Sequence, residues 1–182
     1  ICATGLYKQA EGGVPYWHFR SNFGPTVDAM AELFIRELTE GVGSTGVRAG
    51  IIKVATGPGE MTDYERGIFE AAAKASVETG APITTHTDRG TMGDLQQRVL
   101  VEGGVPAHRI VIGHSCGTSD HEYPLGIARG GSYLGFDRFG LDMVHTPFLR
   151  ASNQSPFLTN PKVTRGTDRM GPVIIFFSMG NQ

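Results

Sequence analysis

The chain has 182 residues, 40% of them hydrophobic and 19% charged, with a formal net charge of −2. This is ordinary globular composition, which excludes a disordered chain, and the near-neutral charge gives no basic footprint for nucleic acid or anionic lipid. No apolar stretch approaches the ~20 residues of a membrane span, since the longest cluster runs only from Val173 to Phe177.

In chain order, short apolar runs alternate with longer helical patterns. Strands are predicted over residues 1–6, 50–55, 82–86, 109–114, 132–137 and 173–178. The middle four are almost continuously apolar, as expected for parallel strands buried on both faces. A helix beginning near Thr26 and Asp28 and reaching about Glu40 carries Met30, Leu33, Phe34 and Leu38 as its apolar stripe. Thr62 followed by Glu65 is a capping-box pair, opening a helix that passes through Ala71, Ala72 and Ala73 to a terminal Gly80. A third helix is predicted from Thr91 to Gly103–Gly104. A weaker fourth spans residues 120–129, with Pro124 in its first turn. Glycine punctuates the segment ends, and the two cysteines, Cys2 and Cys116, are too few for a disulfide framework and read as reduced thiols. The compartment stays open, with a slight preference for the cytoplasm.

Strands alternating with crossover helices imply a right-handed parallel α/β sheet in a single domain. No Gly-x-Gly-x-x-Gly or Gly-x-x-x-x-Gly-Lys-Ser/Thr motif is present, so the nucleotide-binding versions have no support. A closed (β/α)8 barrel typically needs ~250 residues. Six strands in 182 residues therefore read as an incomplete TIM-type barrel.

Strand ends carry the chemistry in such folds, and here they are polar. Lys53 interrupts an apolar run, His86 and His114 end the next two strands, and Asp137 with Arg138 ends the one after. Their spacings of 33, 28 and 23 residues are one strand–helix unit each, which puts all four strands' polar groups at one rim. A buried ammonium is costly unless it is neutralised or paired. Carbamylation would turn Lys53 into an anionic metal ligand beside two imidazole nitrogens; alternatively, a depressed pKa would let it form a Schiff base with a carbonyl substrate. A lone strand-end histidine is more often structural than ligating, but two on consecutive strands beside a buried lysine favour the metal. Asp137–Arg138 also reads as a plain ion pair at a strand end, and Cys116 as a further ligand has little to support it. His18, His108, His121 and His145 belong to no constellation and read as loop or helix-edge residues.

At these residues the sequence resembles the phosphotriesterase family of the amidohydrolase superfamily. The resemblance lies in Ala-Thr-Gly-Leu-Tyr, Thr-Gly-Val-Arg-Ala-Gly-Ile-Ile-Lys-Val-Ala-Thr, Pro-Ile-Thr-Thr-His-Thr and Arg-Ile-Val-Ile-Gly-His-Ser. The run Gly-Phe-Asp-Arg-Phe-Gly-Leu-Asp, ending at Asp142, is similar to the lactonase branch. The pattern is clear over about residues 1–145 and degraded after about 150. It implies strands 3 to 8 of a (β/α)8 barrel with a binuclear centre, most simply zinc, bridged by carbamylated Lys53. His86 and His114 would bind the more exposed metal, while Tyr7, Asp137 and Arg138 would line the pocket for a small lactone, ester or phosphotriester. Hydrolysis of lactones or esters is the implied activity, with organophosphate triesters as a side activity, and a homodimer is left open.

The sequence also departs from the family. No His-x-His pair occurs, and Gly180 falls where the eighth strand would supply a metal-binding aspartate. Three of six protein ligands remain, so the chain by itself is expected to be poorly active or inactive. A Schiff-base lyase using Lys53 and a non-catalytic barrel remnant are the alternatives.

Overall fold

The structure, a computed structural model, describes residues 1–11, 14–120, 122–138 and 174–176. Eleven elements frame it: β1 (Ala3–Thr4), α1 (Val14–Ser21), α2 (Val27–Thr39), β2 (Ile51–Ala55), α3 (Asp63–Thr79), β3 (Ile83–His86), α4 (Gly93–Glu102), β4 (Ile110–Ile112), α5 (Glu122–Arg129), β5 (Tyr133–Phe136) and β6 (Ile174–Phe176). The six strands form one sheet in sequence order, β1-β2-β3-β4-β5-β6, with every neighbouring pair parallel. That is the expected α/β architecture, with each strand from β2 to β5 returning beside its predecessor after a helix.

The helix that the capping box predicts forms as expected. Thr62 Oγ1 accepts from the Glu65 amide at 3.2 Å, Glu65 Oε2 accepts from the Thr62 amide at 3.1 Å, and Gly80 closes α3 in the left-handed region at φ 76°. The other boundaries shift for local reasons. α4 starts at Gly93 rather than Thr91, because the Thr91 amide and hydroxyl both donate to the Asp88 carbonyl and close a turn first. α5 starts at Glu122, with Pro124 in its first turn as expected. The sequence pattern missed α1, whose aromatic run Tyr16, Trp17 and Phe19 has modest helix propensity and whose Pro15 is tolerated only because it lies in the first turn. The strands are shorter than predicted: β1 keeps only two residues, and β4 stops at Ile112, before Gly113 and His114. Residues 173, 177 and 178 of the last predicted strand lie outside the described residues.

The core lies on one face of the sheet. Ile52, Val54, Ile83, Ile110, Ile112, Leu134 and Phe136 are buried in a single cluster with Ile68, Phe69, Leu100 and Ile127 of the helices. Buried Ala71, Ala72, Ala73 and Ala75 give α3 a smooth surface for close packing. The residues between, Ile51, Lys53, Thr84, Val111 and Tyr133, lie on the opposite face and are only half-buried. Ala55 and His86 on that same face are buried, so β2 and β3 are buried on both faces at their C-terminal ends, and the second face is half-buried elsewhere, less than the apolar runs implied. Cys116 lies in the core and Cys2 is exposed, and neither forms a disulfide among the described residues. Among the described residues, no helix is long and apolar enough to cross a membrane.

Candidate functional site

Strand register places the candidate residues. Lys53 pairs with Thr84, and Ala55 with His86, so Lys53 and His86 project from the same face, with Lys53 one layer deeper. The lysine therefore lies below the rim on which the sequence had placed it. Space for it comes from glycines. A Cβ on Gly113 would lie 2.4 Å from the Thr85 carbonyl oxygen, and one on Gly135 would lie 3.1 Å from Gly113 Cα. Gly5 is equally constrained, with φ 130° and a hypothetical Cβ only 1.9 Å from the Lys53 carbonyl oxygen, so β1 can approach β2 only without a side chain there.

Lys53 Nζ donates to the Thr85 carbonyl at 2.6 Å. Burial pushes its pKa below the usual lysine value; the Asp137 carboxylate opposes that shift and the Arg138 guanidinium adds to it. Burial thus weakens the amine's preference for its charged form. The His86 and His114 rings meet edge to face with centroids 4.6 Å apart. His114 takes a left-handed backbone, φ 58°, just past β4; a non-glycine residue in this region at a candidate site marks strain held in place by its surroundings. His114 Nδ1 lies 2.6 Å from Asp137 Oδ1, beyond the end of β5. Burial would raise the Asp137 pKa, but the His114 hydrogen bond, together with the charges of His114 and Arg138 and a backbone hydrogen bond, holds the carboxyl below its usual range.

His86 is held at both nitrogens, with Tyr7 Oη 3.0 Å from Nδ1 and Asp88 Oδ1 2.8 Å from Nε2. Burial lowers its pKa, and the nearby His114 and Arg138 add to the effect while Asp88 opposes it. Burial also raises the Tyr7 phenol, with Glu11 adding to the shift. Arg138 is half-buried, and its charge acts on Tyr7, Lys53 and His86 together. The structure thus brings Tyr7, Lys53, His86, His114, Asp137 and Arg138 into one neighbourhood. His18 lies exposed within α1 and His108 is exposed on a short 3-10 turn, both apart from this cluster. His121, His145, Asp142 and Gly180 lie outside the described residues. Burial in the core raises the Cys116 thiol pKa, which leaves it a poor ligand.

Several supporting residues escaped the sequence reading. Glu65 was legible as a cap, yet its Oε1 also accepts from the Gly57 amide at 3.0 Å and the Gln9 amide at 3.2 Å, tying the loops after β1 and β2 together. Buried Gln96 donates to Thr56 Oγ1 at 2.8 Å and to the His86 carbonyl at 2.9 Å, fastening the ends of β2 and β3. Lys8 and Asp88 were also missed, although the His-x-Asp spacing from 86 to 88 was a usable signal for the second of them.

Among the described residues, no group of three His, Cys, Asp or Glu side chains is arranged to hold a metal ion. The donor set still fits a metal in part. His114 engages Asp137 through Nδ1 and has Nε2 to offer an ion, whereas His86 would have to give up one of its two hydrogen bonds to do the same; the Lys53 amine would become an anionic oxygen donor on taking up carbon dioxide.

Known proteins resemble this chain over most of its length. The phosphotriesterase family profile matches residues 1–163. A phosphotriesterase homology protein of Mycobacterium tuberculosis is 40% identical over 152 residues, covering 81% of this chain and 46% of that protein. An aryldialkylphosphatase of Saccharolobus solfataricus is 37% identical over 145 residues, covering 79% and 44%. The crystal structure of a mutant PTE-like lactonase from Deinococcus radiodurans superposes with a TM-score of 0.80 at 38% identity, covering 87% of this chain and 50% of that one. The chain spans about half the length of the relatives it matches.

Proposed function

Because the chain belongs to the phosphotriesterase family, we propose that the polar face of its sheet is part of a metal-dependent hydrolase centre for lactones or esters, with organophosphate triesters as a side activity. The sheet would form strands 3 to 8 of a (β/α)8 barrel. The observation that carries the reading is the convergence of Lys53, depressed in pKa by burial, on two histidines whose rings lie 4.6 Å apart.

On this reading, the neutral Lys53 amine adds carbon dioxide, forming an N–C bond and releasing one proton, and the resulting carbamate is an anionic ligand. His86 and His114 supply imidazole nitrogens, and this nitrogen and oxygen set suits zinc, with two ions in the complete centre. The chemistry supplied by bound divalent ions would be polarisation of the carbonyl or phosphoryl oxygen and activation of water. Tyr7 places its hydroxyl beside His86, where it can orient a substrate oxygen. Arg138 contributes the positive charge that favours negative charge growing on that oxygen. Asp137 holds the His114 ring in place through Nδ1. A homodimer belongs to the same proposal, supported by Tyr16, Phe19 and Phe23, which are 61%, 62% and 69% exposed on and just after α1.

The test is lactone hydrolysis, with added zinc or cobalt, by this chain joined to the portion of the Deinococcus lactonase it does not cover. Turnover that Lys53→Ala abolishes is expected, together with a carbamate carbon signal from labelled bicarbonate that the same substitution removes. Absence of turnover under every metal would withdraw the hydrolase reading in favour of a non-catalytic remnant. The depressed Lys53 pKa also suits a Schiff-base lyase; borohydride trapping of a carbonyl substrate on Lys53 without metal would select that reading instead.

A further inference from the structure

His86 is gripped by two loops, after β1 and after β3, which a largely buried lysine joins through an ion pair. Lys8, 8% exposed and lying beyond β1, places Nζ 2.7 Å from Asp88 Oδ2 and 2.9 Å from Glu11 Oε1. The other Asp88 oxygen, Oδ1, lies 2.8 Å from His86 Nε2, while Tyr7 Oη lies 3.0 Å from His86 Nδ1. An ionised carboxylate can only accept hydrogen bonds, and a neutral imidazole has a single N–H. With Asp88 ionised beside the Lys8 ammonium, the N–H of neutral His86 must lie on Nε2. The lone pair is then on Nδ1, where it accepts from the Tyr7 hydroxyl.

We propose that Asp88, held by Lys8, is a positioning residue that fixes His86 as its Nε2–H tautomer and so leaves the lone pair on Nδ1, where the Tyr7 hydroxyl occupies it in this structure and would be displaced by a ligated ion. The tautomer follows from this chain's own contacts, and only its use in ligation rests on the metal-centre reading above. A histidine ligand whose remote nitrogen donates to a carboxylate is oriented and made more basic by it, and losing such a partner typically weakens metal binding about 10–100-fold. Lys8 acts one step further out, by keeping both Asp88 oxygens as acceptors and its carboxylate aimed at the ring. The pair joins residues 80 positions apart, so it also sets the distance between Tyr7 and His86 on which the second contact depends.

The experiment is long-range proton–nitrogen NMR on the metal-free full chain labelled with nitrogen-15, at a pH where His86 is neutral, with its signals assigned through His86→Gln. In the unaltered chain, Nε2 should show the protonated shift and Nδ1 the unprotonated one. In Asp88→Asn the new amide can donate to Nε2, so His86 should move toward the Nδ1–H form, whereas Asp88→Glu should retain Nε2–H. Lys8→Met should give a smaller shift in the same direction. Zinc affinity, read by competition with a chromophoric chelator, should fall about 10–100-fold in Asp88→Asn. An Nδ1–H tautomer in the unaltered chain overturns the proposal without any variant, and so does an Asp88→Asn chain that melts earlier with its His86 signals unmoved. If the tautomers behave as expected but the unaltered chain binds no zinc, Asp88 keeps its positioning role and the metal-centre reading is the one that fails.

Discussion

The two faces of the sheet are built on different terms. On one, Ile52, Val54, Ile83, Ile110, Ile112, Leu134 and Phe136 are sealed in a single cluster with the helices. On the other, Ile51, Lys53, Thr84, Val111 and Tyr133 stay half-buried, and the charged and imidazole groups cluster at their ends. Hydrophobic burial supplies the dominant favourable term in folding, so the helix-facing side carries the stability. The opposite side is thereby free to hold a desolvated amine and a left-handed histidine that would be poor choices in a core.

Substitutions on the two faces should therefore separate stability from site chemistry. The largest effect is expected from Phe69→Ala, which empties fully buried volume beneath the sheet and should cost about 3–5 kcal/mol, read by urea unfolding. Lys53→Met, by contrast, should leave the unfolding midpoint nearly unchanged while removing metal binding; a comparable loss of stability would erase the distinction between the faces. Gly5→Ala comes next. Its strained backbone alone costs about 1–3 kcal/mol, and the contact with the Lys53 carbonyl oxygen adds to that, so both stability and site geometry should suffer. Thr62→Ala removes the cap of α3 on the helix side and should cost about 1 kcal/mol, with metal affinity unaffected.

The smallest effect concerns alkaline pH within the helix layer. The Tyr123 hydroxyl donates to Asp94 Oδ1 at 2.8 Å, and burial pushes its pKa up to about 12. Because the folded pKa lies above the unfolded value of ~10, the stability linked to this phenol is fully present below pH 10 and is lost as pH rises toward 12. An ultraviolet titration should show a phenol ionising near that upper value, absent in Tyr123→Phe. If all phenols titrate together near 10, the helix-side packing around Tyr123 is looser than described.

What the sequence revealed follows the same division. The alternation of strands and helices apart from α1, the capping box of α3 and the spacing of Lys53, His86, His114 and Asp137 by one strand–helix unit each are one-dimensional patterns and could be read directly. The two-faced burial of β2 to β5 could not, because Ile51 and Val111 look as apolar as Ile52 and Ile112 until register decides which side each residue occupies. β4 was overextended because the left-handed turn at His114 leaves no compositional mark beyond the preceding glycine. Lys8 and Asp88 were missed for a related reason: each is an ordinary surface residue type, and only folding brings two loops 80 positions apart to within 2.7 Å.

If the half-buried face holds the proposed metal, losing that metal must leave the fold carried by the other face intact. Cobalt titration followed by visible absorption, with far-ultraviolet circular dichroism on the same samples, tests it most directly. The account predicts ligand-field bands in the unaltered chain with bicarbonate present, lost in the double variant His86→Ala, His114→Ala while the dichroism spectrum stays the same. Bands that survive the double variant, or a dichroism spectrum that collapses with it, would contradict the claim.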